Sequence, residues 1–213
     1  MRISTVIKTL LAATAVAPML AHAESTTTTG AGALNVTAHV DFQITIPKLV
    51  FLRVGTGTGA LVGGGYANNA TVDQITWAPT PATVGTGVMG GTGGDLTGGV
   101  ETAAVYANGN GNVTLSCTTT GPLNDGAAGD TISYSTITTA TATLTSAVAL
   151  PVCPLADTTT NSVVIAPVAK VVSRDAKWTY TYSNATIPPA GTYGGGGAAN
   201  TGAGRVTYTA AIP

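Results

Sequence analysis

The chain has 213 residues, of which only 8% are charged, and its formal net charge is −1. Lysine and arginine residues do not cluster, which excludes the basic surface that nucleic-acid-binding proteins normally carry. The length suits one domain or a closely joined pair. Many glycines and threonines with few charges are typical of exported β-proteins and of self-associating surface proteins.

Residues 1–23 have the features of a secretory signal peptide. Arg2 and Lys8 precede an apolar stretch shorter than the roughly 20 residues of a membrane helix, and Ala21-His22-Ala23 matches a cleavage site. We expect cleavage there, with no membrane span afterwards. The mature chain would then carry six basic and nine acidic residues, a net charge near −3. The predicted location is the periplasm in transit, and then the extracellular space or the cell surface.

An unbroken alternation of apolar and polar side chains runs from 34 to 46, after a flexible leader at 24–33. Its apolar members are Leu34, Val36, Ala38, Val40, Phe42, Ile44 and Ile46. Because successive side chains of a β-strand point to opposite faces, the pattern predicts an amphipathic strand of roughly 43 Å. Such a strand needs a groove to bury its apolar side. That groove lies either in its own domain or in a neighbouring molecule, and the sequence leaves both open.

The remainder, residues 47–213, is predicted to be a β-sandwich domain, because short alternating runs are separated by turn residues. Strands are predicted at 48–54, 71–77, 100–106, 112–119, 131–138, 140–148, 162–165, 177–183 and 205–212. Glycine-rich segments at 55–65, 85–99 and 191–204 hold 21 of the 28 glycines and are predicted to be long loops. The expected fold is all-β, an antiparallel Ig-like sandwich of nine or ten strands. Whether it contains one sandwich or two stays open.

Cys117 and Cys153 are the only cysteines. Since an exported protein meets an oxidising environment, we expect a disulfide between them. No C-x-x-C pair is present, so the sequence indicates neither a redox-active dithiol nor a zinc site.

The sequence offers little to an enzyme. His39 is the only histidine after the signal peptide, so at most one residue could serve as the base of a Ser-His-Asp or Cys-His arrangement. Residues 85–90 match G-x-G-x-x-G by letters, but further glycines follow where a helix would have to begin. The acidic segment 124–130 is interpreted as a turn rather than a calcium loop. We therefore expect no enzymatic activity, no catalytic residue, no metal and no cofactor.

Trp178, Tyr180 and Tyr182 alternate with polar residues near the end of the chain. Large rings at this spacing are typical of the core face of a sandwich strand. The alternative interpretation is a platform on which sugar rings stack.

With these features, the chain resembles fimbrial subunits of the chaperone–usher kind and related exported fibre-forming sandwiches. The resemblance rests on the signal peptide followed by NVTAHVDFQITI, on the weakly charged sandwich, and on PPAGTY ahead of the closing GRVTYTAAIP. In that family the sandwich lacks one strand, and the N-terminal extension of the next subunit supplies it. Carried over by position, the resemblance implies that the inserted side chains here would be Val36, Ala38, Val40, Phe42 and Ile44.

The leading hypothesis is a structural subunit of an extracellular fibre or surface layer, assembled by insertion of the N-terminal strand into a neighbouring subunit. Its partners would be further copies of the chain, as a homo-oligomer or polymer, and the resemblance adds a periplasmic chaperone. The alternative is a self-contained secreted adhesin for a carbohydrate or surface ligand. Recognition would then fall to the aromatic stripe around Trp178 or to the glycine-rich loops.

Overall fold

A computed structural model of the protein describes residues 25–57, 66–125, 129–195 and 204–213. The chain forms two compact units, Met1–Ile46 and Pro47–Pro213, which are described separately. The predicted signal peptide lies outside the described residues, as do most of the predicted loop at 55–65 and the middle of the one at 191–204.

The second unit consists mainly of β-strands. The twelve strands among the described residues are β1 (Val50–Val54), β2 (Ile75–Thr76), β3 (Gly87–Gly90), β4 (Thr92–Gly93), β5 (Val100–Ala107), β6 (Val113–Thr118), β7 (Leu123–Asn124), β8 (Thr131–Ile132), β9 (Ile137–Ala142), β10 (Thr160–Ile165), β11 (Val172–Asn184) and β12 (Thr207–Ala211). A 3₁₀ turn, Tyr134–Thr136, leads into β9. The described residues contain no helix that is long and apolar enough to cross a membrane.

Two antiparallel sheets form the sandwich. The larger has the order β1-β5-β11-β3, and β9 pairs with the opposite edge of β11. The smaller has the order β10-β6-β12. The pairs β2–β4 and β7–β8 form short two-stranded sheets. The predicted all-β, antiparallel, sandwich-like fold is confirmed.

One hydrophobic core lies between the two sheets. Val105 of β5 and Trp178 of β11 face it from the larger sheet, and Leu115 of β6 faces it from the smaller. All three are fully buried. The indole Nε1 of Trp178 donates a hydrogen bond of 3.1 Å to the carbonyl of Leu150, so its one polar atom is satisfied inside the core.

The predicted disulfide is present. Cys117 of β6 is bonded to Cys153, and their Cα atoms are 6.1 Å apart. The bond ties the central strand of the smaller sheet to the connection between β9 and β10.

The prediction of one continuous loop at 85–99 is wrong, because this segment contains β3 and β4. Its glycines permit backbones to approach closely where a side chain would not fit. A Cβ atom on Gly91 would lie 3.2 Å from the Cα atom of Gly99, which itself has a φ of +76°. Glycine therefore serves here to pack short strands together, and β3 pairs with β11.

Two other predicted strands are interrupted. The run 131–138 divides into β8, the 3₁₀ turn and the start of β9, and the run 140–148 ends as a strand at Ala142. Beyond that point, the backbone amides of Thr145 and Ser146 donate hydrogen bonds to the carboxylate of Asp175, at 2.9 and 2.7 Å. The buried carboxylate of Asp175 thus accepts the backbone hydrogen bonds that a neighbouring strand would otherwise accept from Thr145 and Ser146.

In the first unit, the structure assigns no strand to residues 34–46. The predicted strand is absent from the single chain, and its apolar side chains are exposed. The physical reason is that a strand exists only with a neighbour for its backbone hydrogen bonds, and no strand pairing involves these residues in the described chain.

Candidate functional site

The first component of the candidate site is the apolar row at 34–46, called here the N-terminal segment. The exposed fraction is 89% for Phe42, 85% for Ile44, 75% for Ile46 and 72% for Val40. Leu34 and Val36 are about half exposed, and Ala38 is exposed as well. Monomeric soluble proteins rarely present so much contiguous apolar surface, and when they do it usually marks an interaction site. The segment is therefore suited to contact with another surface.

The second component is a pair of open sheet edges in the second unit. Among the described residues, β1 pairs only with β5, and β12 pairs only with β6. Each strand therefore presents one edge of backbone N–H and C=O groups that no other described strand pairs. Such an edge is a ready template for an added strand.

A large cavity of about 1200 Å³ lies beside these two edges. We call it the cleft. Its walls include residues 51–54 of β1 and residues 206–208 at the start of β12. Apolar side chains that face it include Leu52, Leu123, Ile137, Leu155 and Val206. The cleft thus combines a group of apolar side chains with two strand edges.

Tyrosines form part of the cleft wall. The hydroxyl groups of Tyr180 and Tyr208 are hydrogen-bonded at 3.0 Å, which links the larger sheet to the smaller. The buried hydroxyl of Tyr134 has no hydrogen-bond partner among the described residues. Burial raises the pKa of both Tyr134 and Tyr208 to about 12, so both phenols are neutral at physiological pH. These hydroxyl groups add to the polar part of the cleft wall.

Two members of a cluster of three carboxyl groups, Asp73 and Glu101, also line the cleft. The ligand atoms of Asp73, Asp95 and Glu101 lie within 4.8 Å of one another. Asp95 forms an ion pair of 2.9 Å with Arg53, and Asp73 accepts hydrogen bonds from the backbone and hydroxyl of Thr56. Oxygen ligands of this kind suit a hard cation. In the structure they fasten the bend after β1 to the start of β5.

Glu101 is the buried member of that cluster. Its exposed fraction is 4%, and one carboxyl oxygen accepts a 3.3 Å hydrogen bond from the Asp95 amide. Burial raises its pKa to about 8, and the neighbouring charges of Asp73 and Asp95 act in the same direction. A neutral carboxylic acid beside two carboxylates avoids three like charges in one place. Sequence analysis missed this cluster, because no spacing rule links Asp73 to Asp95, 22 positions later, or Asp95 to Glu101.

The aromatic stripe lies where the core interpretation placed it. Trp178 is fully buried, and Tyr180 and Tyr182 are nearly so. Trp178 therefore offers no face on which a sugar could stack. The two tyrosines do reach the wall of the cleft.

Two other motifs have plain structural roles. Residues 87–90 of the glycine motif are strand β3, so no helix N-terminus follows a phosphate-binding turn. The acidic segment joins β7 to β8, and the Asp125 amide donates a hydrogen bond of 3.2 Å to the Asp130 carbonyl. That contact closes a turn, as the sequence predicted for the described part of the segment.

Comparison of the chain with protein-family models, with curated proteins and with solved structures gives no match.

Proposed function

We propose that the protein is a structural subunit of an extracellular fibre or surface layer, in which the N-terminal segment of one copy fills the cleft of the next. The observation that carries the proposal is the exposure of the apolar row at 34–46. An exported chain with such a row is insoluble or sticky unless another surface covers it. A second copy is the occupant that is always present.

The chemistry of the cleft supports this pairing. An added strand gains affinity from backbone hydrogen bonds along an open edge and specificity from alternate side chains that enter pockets. The cleft borders the edges of β1 and β12, and apolar side chains such as Leu52, Leu123 and Val206 line part of it. The N-terminal segment offers both complements, a backbone that pairs with no strand in the described chain and an apolar side chain at every second position.

The energy of such a joint is large. Burial of one mid-sized apolar side chain contributes about 1.5–3 kcal/mol. Seven alternate positions, from Leu34 to Ile46, carry apolar side chains, of which one is the small Ala38. Backbone hydrogen bonds along the strand add to that sum, so a joint of this kind would survive mild detergent.

Export is part of the proposal and rests on the features of residues 1–23. The subunit would pass through the periplasm, and the exposed row would need cover there before assembly. A periplasmic chaperone is the partner that this need implies.

A pair of matched charge variants tests the function. Phe42→Asp with Ile44→Asp places two charges on the apolar side of the N-terminal segment, whereas Gln43→Asp with Thr45→Asp places them on the polar side. We expect electron microscopy and size-exclusion chromatography to show filaments for the wild type and the polar-side variant, and monomers for the apolar-side variant. A wild type that stays monomeric at high concentration, or equal assembly of both variants, would contradict the proposal.

A further inference from the structure

Asn108 holds the residues just before β1 in line with that strand. Its backbone amide donates to the Leu49 carbonyl at 3.2 Å, and its side-chain oxygen accepts from the Leu49 amide at 2.6 Å. Its side-chain amide donates to the Pro47 carbonyl at 2.9 Å. The Asn108 side chain therefore extends the pairing of β1 with β5 beyond the register pair of Val50 with Ala107, to Leu49 and Pro47.

The two open edges run in opposite directions. The ammonium group of Lys48, just before β1, donates a hydrogen bond to the oxygen of Pro213, just after β12. A Cβ atom on Gly109 would lie within 2.9 Å of both the Lys48 and the Ile212 side chains. The beginning of β1 thus lies beside the end of β12. An added strand that is antiparallel to β12 must run in the same direction as β1.

A chain cannot supply that strand to its own cleft. Neighbouring strands that run in the same direction need a crossover connection of about a dozen residues. Between the N-terminal segment, which ends at Ile46, and β1, which begins at Val50, only residues 47–49 intervene. Filling the cleft antiparallel to β12 therefore requires a second copy.

The opposite orientation, a hairpin with β1, is opposed by Asn108. Three-residue hairpin loops usually end in a residue with positive φ, most often glycine. The connection reads Pro47-Lys48-Leu49, and none of the three has a positive φ. A turn there would also break both side-chain hydrogen bonds of Asn108, because these bonds hold Pro47 and Leu49 extended.

We infer that Asn108 is a positioning residue that prevents the N-terminal segment from closing on its own subunit, so that a second copy fills the cleft. The inference rests on the proposed function and adds its direction: insertion is antiparallel to β12 and intermolecular. On this view, the hydrogen bonds of Asn108 determine whether the chain forms a closed monomer or a polymer.

The test uses the chain after removal of residues 1–23, with a connection that can turn. Pro47→Asn with Lys48→Gly supplies the turn sequence, and this change is made with Asn108 intact, with Asn108→Ala and with Asn161→Ala. Asn161 is the matched control because its side-chain amide also donates to a proline carbonyl, that of Pro154, at 2.7 Å. Size-exclusion chromatography gives the monomer fraction, and hydrogen exchange in that fraction reports whether the amides of 34–46 are protected.

We expect the variant with the turn and Asn108→Ala to show about a tenfold higher monomer fraction with protected amides, the effect of removing two hydrogen bonds that oppose the turn. Asn108→Asp keeps the acceptor for Leu49 and loses the donor to Pro47, so an intermediate fraction is expected. Should the Asn108→Ala chain not fold, this milder variant gives the answer. An unchanged monomer fraction in both Asn108 variants overturns the inference, as does a protected monomer when Asn108 is intact. A wild type that forms no polymer overturns the proposed function instead.

Discussion

Two thirteen-residue stretches of this chain, β11 and the N-terminal segment, have similar alternation and opposite surroundings. β11 pairs with β5 and β3 along one edge and with β9 along the other, and its Trp178 is fully buried. The N-terminal segment has no ladder, and its Phe42 is 89% exposed. Alternation thus makes a stretch amphipathic, but burial depends on which neighbours the rest of the chain supplies.

The largest expected effect is a difference in unfolding free energy between a mutation in β11 and a mutation in the N-terminal segment. Trp178→Ala opens a cavity in the core and removes the bond to Leu150, so the free energy of unfolding should fall by about 3–5 kcal/mol. Phe42→Ala changes an exposed side chain, and the unfolding free energy of dilute monomer should stay within about 0.5 kcal/mol of the wild type. Urea denaturation followed by far-ultraviolet circular dichroism measures both. A large loss for Phe42→Ala would mean that the segment is packed in the monomer.

The disulfide gives the next largest effect. Cys117 and Cys153 are 36 residues apart, and a closed loop of that size stabilises the fold by about 3–4 kcal/mol on the chain-entropy model. Replacing both by serine should lower the urea midpoint accordingly. Hydrogen exchange of residues 34–46 in the monomer should not change, because the bond lies within the sandwich. Altered exchange in residues 34–46 would show that the N-terminal segment depends on the sandwich in the monomer, contrary to this expectation.

The smallest effect is a pH dependence from Glu101. Its pKa is raised from 4.5 to about 8 in the folded protein, so folding favours the neutral acid. The stability that this group contributes is fully present below about pH 4.5 and is lost as the pH rises through 8. Glu101→Gln should flatten the decline in melting temperature over that range. Asp41→Asn, a change at an exposed carboxylate, serves as the control and should keep the slope. A slope that is the same in Glu101→Gln and the wild type would contradict the assignment.

Much of the sandwich could be predicted from sequence because its signals are local. The alternation around Trp178 and along 113–118 predicts which side of each strand faces the core, and a chain with only two cysteines allows one disulfide pairing. The strands at 87–93 were missed for a physical reason. Their glycines serve close backbone contacts, which depend on distant segments such as Gly99 and β11 rather than on local pattern.

Of the two parts of the candidate site, only the N-terminal segment could be predicted from the sequence. The N-terminal segment is evident from its own residues, whereas the cleft is not. The cleft is formed by edges that stand at opposite ends of the sequence, near 51 and near 208, and its carboxyl cluster joins Asp73, Asp95 and Glu101 across a fold. The role inferred for Asn108 likewise depends on a side chain that takes the place of a backbone partner, which no spacing reveals.

The sheet order has one more consequence, for the speed of folding. β12 meets β6 through pairs such as Thr207 with Thr118, 89 positions apart, and β3 meets β11 through Gly87 and Asn184, 97 positions apart. Topologies dominated by such long-range pairings fold slowly, on the millisecond-to-second scale. A newly made chain therefore spends an extended interval with unpaired strand edges exposed, and the yield of folded protein should depend on how dilute the chain is kept during that interval.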